Sequence, residues 1–191
     1  MTRTFIALEM NEAQQRHLEE VIRRMSAQLP GLRWVNPAGI HLTLAFLGEM
    51  TDEQLGGVRH AVESAARQSK PFSYRLSRLG SFGSPRQPRV VWMGIDEPTG
   101  ALAHLHRVLN RELDRRGFEV DKRPFSPHLT LARARDPLSA DELQKLQTIL
   151  TGKQEGFVAT DAYAVEHLYV MKSELLSDGA HYTCMQSYAL Q

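Results

Sequence analysis

His41-Leu42-Thr43-Leu44 occurs a second time as His128-Leu129-Thr130-Leu131. Side chains along a β-strand alternate between faces, so each copy sets its His and Thr on one side and both leucines on the other. The leucines then belong to a core. The His-Thr pairs belong to a polar surface that becomes a groove where two such strands meet. Two imidazoles and two hydroxyls brought together suit proton transfer on either side of an anionic centre.

The copies lie 87 positions apart (128 − 41 = 87), and the same offset relates much of the remaining chain. Phe5-Ile6-Ala7-Leu8 maps onto Trp92-Met93-Gly94-Ile95, and the amphipathic segment 11–29 onto 98–116. The segment opened by Thr51 maps onto the one opened by Ser139, and the strand-like 72–80 onto 159–167. A shared order of strand, helix, motif strand, helix, strand is the mark of an internal duplication. The expectation is one domain over 1–191, built as two lobes about a pseudo-two-fold axis, each contributing one His-Leu-Thr-Leu.

A chain of 191 residues, 42% hydrophobic and 24% charged, is that of a globular protein able to bury a substantial core. Its net charge of +1 supplies no global field for long nucleic acid or anionic membrane, so any nucleic-acid partner would have to be held by a local patch. Cys184 is the only cysteine, which excludes intramolecular disulfides and cysteine-based zinc sites. No apolar stretch is long enough for a signal peptide or a membrane span, and a cytoplasmic location is expected.

Taken in order, residues 5–8 read as a buried strand and Asn11 caps a helix that runs to Leu29, where Pro30-Gly31 stops it. Residues 32–35 are extended, and the first motif strand spans about 40–47, ended by Gly48. Thr51-Asp52-Glu53-Gln54 and Ser139-Ala140-Asp141-Glu142 are capping boxes that open two further helices. A strand covers 72–79. The Gly- and Pro-rich stretch 80–88 then reads as a loop, with Arg86 inside it and Arg89 at its exit, either a flap that brings cations over the groove or a plain connection. Residues 89–95 open the second unit, a helix follows with its stripe at Leu102, Leu105, Leu109 and Leu113, and 118–120 are extended. Pro127 favours a strand entrance at His128. One or two strands occupy 157–171, and a last one, entered through 177–180, spans 182–190.

His17, His60, His104 and His106 fall on polar parts of helices and read as solvated surface residues. His41 and His128 stand apart because both are followed by Thr at i+2 in matching contexts. A zinc site needs three or four ligands, and Thr, a poor zinc ligand, occupies the place where a third would stand. No metal is expected. Neither a Walker-type loop nor a dinucleotide fingerprint occurs, so ATP and nicotinamide cofactors are unsupported.

These motifs resemble the two His-x-Thr-x motifs of the two-histidine phosphoesterase superfamily. The contexts Phe5-Ile6-Ala7-Leu8, Arg33-Trp34-Val35, Leu44-Ala45-Phe46-Leu47-Gly48, Arg123-Pro124-Phe125-Ser126-Pro127-His128 and Lys172-Ser173-Glu174-Leu175 are similar to its bacterial and archaeal RNA 2′,3′-cyclic phosphodiesterase branch, also called the 2′-5′ RNA ligase family. The resemblance implies a bilobal α+β fold, each lobe an antiparallel sheet with two helices, and an active-site groove between them. It implies hydrolysis of a terminal 2′,3′-cyclic phosphate to a 2′-phosphate, with His128 as general base and His41 as general acid and no cofactor. The same site run in reverse would form a 2′-5′ linkage without ATP. The partners implied are RNA ends bearing the cyclic phosphate, such as tRNA fragments, and nucleotide ligands.

Thr43 and Thr130 would donate hydrogen bonds to phosphate oxygens, and Arg133 would add a charge-assisted one. Arg133 follows His128 by five, an odd step, so an ideal strand would turn it to the leucine face; the role requires a bulge or a long reach, and a surface ion pair is the alternative. Phe46, at the same offset from His41, either stacks on the terminal base or is core, the default for a lone aromatic in a strand. Two other functions fit the motifs: an RNA-end-binding protein with little catalysis, and an enzyme for small cyclic nucleotides or an ADP-ribose cyclic phosphate. A monomer is expected, since one chain carries both halves of the site.

Overall fold

The computed structural model describes residues 1–154, 156–157, 161–176 and 179–191. The first apolar run is strand β1 (Thr2–Glu9), buried on both faces as its unbroken hydrophobicity requires. Ile6 and Leu8 join the main core, whereas Phe5 and Ala7 on the other face form a separate cluster with Met171. After the first helix come the short strand β2 (Arg33–Trp34) and then the longer first motif strand, β3 (His41–Met50). Further along are β4 (Phe72–Ser84), β5 (Gln87–Asp96), the second motif strand β6 (His128–Arg133), β7 (Ala162–Val165), β8 (His167–Leu176) and β9 (Gly179–Ala189). They make two antiparallel sheets, one ordered β3-β1-β8-β9 and the other β2-β6-β5-β4-β7. With four α-helices among the described residues the fold is α+β, as expected.

The helices are α1 (Glu12–Ser26), α2 (Asp52–Arg67), α3 (Ala101–Asp114) and α4 (Ala140–Thr151). Both expected capping boxes form, at Thr51/Gln54 and Ser139/Glu142, and Asn11 makes a third with Gln14. Sequence order does not decide which sheet a helix covers. α1 leaves β1 yet reaches the other sheet, where the Gln14 amide donates to the Tyr74 hydroxyl of β4 at 2.6 Å. α4 packs on β4 as well, while α2 packs on β8 and β9 and against α3.

The late strands are exchanged too. Ile6 and Met93, related by the 87-residue offset, pair with Val170 and Leu79 respectively, so β8 stands to β1 as β4 stands to β5 at an offset of 91 (170 − 79 = 91). The equivalent of residues 72–80 is therefore not 159–167, and position 159 itself lies outside the described residues. The span expected to hold one or two strands holds all of β7 and the first half of β8, while 177–178, the start of the expected entry at 177–180, also lie outside the described residues. No helix among the described residues is long and apolar enough to cross a membrane.

Four local readings need correction. The stretch 80–88 is not a loop: β4 runs through Ser84 and β5 starts at Gln87, leaving a hairpin turn at Pro85-Arg86. Its glycines serve the sheet. A Cβ on Gly80 would lie 2.3 Å from the Trp92 ring, and Gly83, at φ +103°, sits where the β4–β5 register shifts. Gly48, at φ +75°, occupies a register shift inside β3 and does not end it. The first helix, expected to run to Leu29, ends at Ser26, and residues 118–120, expected to be extended, lie outside any helix or strand.

Substituting Gly80→Ala should force Trp92 out of place and destabilise the protein by about 1–3 kcal/mol. Urea denaturation would measure this, with the tryptophan emission reporting the displacement.

Candidate active site

The two motif strands are brought together. β3 is the outer strand of its sheet and approaches β6 of the other within 8 Å between Cα atoms. In each, the predicted alternation holds: Leu42, Leu44, Leu129 and Leu131 are buried, whereas His41, Thr43, His128 and Thr130 are half-buried.

Beyond the motif the alternation is broken at equivalent places. Ala7 pairs with Thr43 but Ile6 pairs with Ala45, so Leu44 is an extra residue in β3. Trp92 pairs with Thr130 but Val91 pairs with Ala132, so Leu131 is an extra residue in β6. Each bulge sends two consecutive residues toward the core and returns the next to the polar face. That next residue is Phe46 in one strand and Arg133 in the other, five positions after each histidine. Arg133 is exposed, and its side chain makes no ion pair or hydrogen bond among the described residues, so the bulge its role requires is present and the ion-pair alternative is not. Phe46 is 69% exposed, which overturns the reading of it as core.

Each imidazole is held from behind in the same way. His41 Nδ1 lies 2.9 Å from the Gly39 carbonyl oxygen and His128 Nδ1 lies 2.7 Å from that of Ser126, two residues upstream in both cases. A carbonyl oxygen only accepts, so both Nδ1 atoms carry the proton, and each Nε2 is left to take one up or, once protonated, to give one away. Aromatic rings orient both. Phe5 lies 4.6 Å and Tyr182 4.7 Å from the His41 ring, the latter edge-on; Phe82 stands edge-on to His128 at 4.8 Å, with Trp92 at 6.3 Å. Sequence reasoning missed all four. Phe5 and Trp92 are 87 apart, so the duplication held a signal for them. Phe82 was hidden in a stretch that reads as a loop, and no spacing connects Tyr182 to His41. Burial beside these rings depresses the His41 pKa, which the Gly39 carbonyl only partly offsets.

Not every helical histidine is a solvated surface residue. His106 stacks face to face on Phe125, with centroids 3.8 Å apart and planes 9° apart, and bonds to Asn110 at 3.2 Å. Burial lowers its pKa, against a smaller opposing influence of Asp121. Phe125 precedes Ser126, so the stack anchors the segment whose carbonyl orients His128. His17 bonds to the Phe157 carbonyl and His104 to that of Gln68. Arg86 forms the hairpin turn and Arg89 lies on β5, both exposed. No group of three or more His, Cys, Asp or Glu side chains placed to hold a metal ion occurs among the described residues.

An α+β fold of two antiparallel sheets, with a His-x-Thr-x strand from each meeting across their junction, is that of a two-histidine phosphoesterase. The profile of the 2′-5′ RNA ligase superfamily matches residues 12–174, and the chain belongs to that family. It is 29% identical over 188 residues to the RNA 2′,3′-cyclic phosphodiesterase of Methanothermobacter thermautotrophicus, covering 98% of both chains. The enzyme of the same name from Thermotoga maritima is 33% identical over 133 residues, 70% of each chain. Among solved structures, TT0787 of Thermus thermophilus superposes with a TM-score of 0.81 at 27% identity, over 98% of this chain and 97% of that one. Escherichia coli LigT, complexed with 3′-AMP, gives 0.73 at 25% identity, over 100% and 98%.

Two predictions follow from the histidine environments. His41 and His106 both have folded values below the ordinary 6.5, so on acidification the unfolded chain takes up protons before the folded one does. Their contribution to stability is complete above pH 6.5 and is lost as pH falls through the folded values; urea denaturation across pH 7.5 to 5 should show this slope, and His41→Asn and His106→Asn should each reduce it. Separately, His106→Ala should cost about 1 kcal/mol and should weaken the proton NMR signal of His128 Nδ1–H, while His106→Phe keeps both the stack and the signal.

Proposed function

We propose that this protein is an RNA 2′,3′-cyclic phosphodiesterase, a single bilobal domain of duplicated origin that works without a metal. The observation that carries this reading is the matched pair of imidazoles, each with Nδ1 tied to a carbonyl and Nε2 left for proton transfer. Water attacks phosphorus and loses a proton to one Nε2. The P–O3′ bond breaks, O3′ takes a proton from the other, and a ribose 3′-hydroxyl and a 2′-phosphate result. His128 is the base and His41 the acid, by analogy with the family. The depressed pKa of His41 in the free protein is compatible with an acid only if the substrate's charge raises it, and an anionic phosphate at that ring does so. Each proton transfer is worth roughly 10²–10⁴ in rate.

Thr43 and Thr130 donate to the non-bridging oxygens as charge grows there, and Arg133 adds a fixed positive charge. Phe46, exposed and 5.7 Å from the Phe5 ring, offers its face to the terminal base. Reversal of the same steps with an RNA 5′-hydroxyl in place of water gives a 2′-5′ linkage without ATP; bulk water favours hydrolysis. The protein acts as a cytoplasmic monomer, since both motif strands come from one chain.

The deciding assay is a short oligoribonucleotide ending in a 2′,3′-cyclic phosphate, incubated with the protein in EDTA. Conversion to the 2′-phosphate is expected, with losses of at least 10²-fold in His41→Ala and in His128→Ala. A 3′-phosphate product would overturn the leaving-group assignment, dependence on added metal the metal-free step, and no turnover the enzymatic reading.

A further inference from the structure

Arg33 and Arg133 are direct cross-strand partners in the β2–β6 ladder. Directly opposed residues of an antiparallel pair point to the same face, with Cβ atoms about 4.5–5.5 Å apart, and like charges so placed repel. The face is the polar one. The neighbouring pair, Trp34 and Ala132, turns toward the core, which leaves Arg33 and Arg133 on the opposite side, both exposed.

Among the described residues no carboxylate relieves this repulsion, and neither guanidinium has an ion pair or a hydrogen bond. Some helical arginines are neutralised, Arg16 by Glu12, Arg23 by Glu20, Arg67 by Glu63 and Arg116 by Glu112. Other exposed arginines such as Arg86 and Arg89 also lack an ion pair among the described residues; what sets Arg33 and Arg133 apart is that they stand directly opposite each other. Glu142, which reaches the turn before β2, is committed to the Gly31 N–H at 2.6 Å and the Ser139 hydroxyl at 2.8 Å. The position of Arg33 is nevertheless well defined. The Trp34 indole N–H donates to the Leu29 carbonyl at 3.1 Å, and the Val35 N–H to that of Leu131 at 2.9 Å. A two-residue strand held at both ends thus presents an uncompensated cation beside the one assigned to the reacting phosphate.

We infer that Arg33 and Arg133 form a two-phosphate site, in which Arg33 binds the phosphodiester on the 5′ side of the terminal nucleotide. An anion between the two guanidiniums removes their repulsion and gains charge-assisted hydrogen bonds, and two side chains splayed from adjacent strands can serve neighbouring phosphates of one chain. The ligand class is therefore an oligoribonucleotide in preference to a mononucleotide. This rests on the RNA-end reading for the identity of the first phosphate. It explains how a protein of net charge +1 holds a polyanion, by a local pair in place of a global field.

The test compares equilibrium binding of a nucleoside 2′-phosphate with that of a trinucleotide ending in the same group, in wild type, Arg33→Ala and Arg33→Lys. Wild type should prefer the trinucleotide, and Arg33→Ala should lose about tenfold of that preference. The slope of log K against log salt for the trinucleotide should shrink by about 0.7, the value for one phosphate contact on a single strand. Arg33→Lys should keep that slope. No trinucleotide preference in wild type, or one unchanged in Arg33→Ala, overturns the inference. Turnover of the matching cyclic substrates is read separately: an Arg33-dependent preference without turnover would sink the phosphodiesterase reading and leave the two-phosphate site standing.

Discussion

Each motif strand must meet two demands that an ideal strand cannot satisfy together. Its leucines have to stay in the core, while a residue at an odd distance from its histidine has to face the groove. One extra residue resolves the conflict, Leu44 in β3 and Leu131 in β6. The bulge also differentiates the halves. The same geometric position carries an exposed ring, Phe46, on one side and an exposed guanidinium, Arg133, on the other, so a near-symmetric scaffold presents two chemically different surfaces.

The exchange of elements between the sheets ties the two halves of the site together. β8, late in the chain, pairs with β1, and α1, early in the chain, packs on β4. Neither sheet can be completed from one half of the sequence, so the junction that brings β3 to β6 is secured by chain crossing it in both directions. On that base the histidines are oriented by uncharged groups: backbone carbonyls behind and aromatic rings beside them. A carbonyl fixes the tautomer without adding charge, which leaves the protonation state of each Nε2 responsive to an arriving phosphate.

Charge is distributed accordingly. On the helices several arginines face carboxylates, and the sum over the chain is close to zero, whereas on the polar face of the second sheet Arg33 and Arg133 stand opposite each other with no ion pair among the described residues. Exposed ion pairs on helices contribute little to folding. A pair of unneutralised cations on adjacent strands costs stability in the free protein, and that cost is recovered only when an anion binds.

Much of this was legible in the sequence because it follows from local rules. The period-two placement of His and Thr, the 87-residue repeat, the capping boxes and the unbroken run that made β1 a buried strand depend only on neighbouring residues. They sufficed for the duplicated order of strands and helices and for singling out the two histidines with their threonines, while the α+β fold class came with the family resemblance. The bulges, the hairpin at 80–88, the aromatic walls at Phe82 and Tyr182, the stack of His106 on Phe125 and the Arg33–Arg133 pair depend on which strand lies beside which. Gly80 reads as a loop residue until Trp92 is seen against it, and Arg133 reads as misdirected until Leu131 is seen to be extra. Register and sheet order are set by packing between segments far apart in the chain. The sequence by itself determined the chemistry available; the tertiary structure decided which of those groups meet, because only long-range strand pairing can turn a residue from one face to the other.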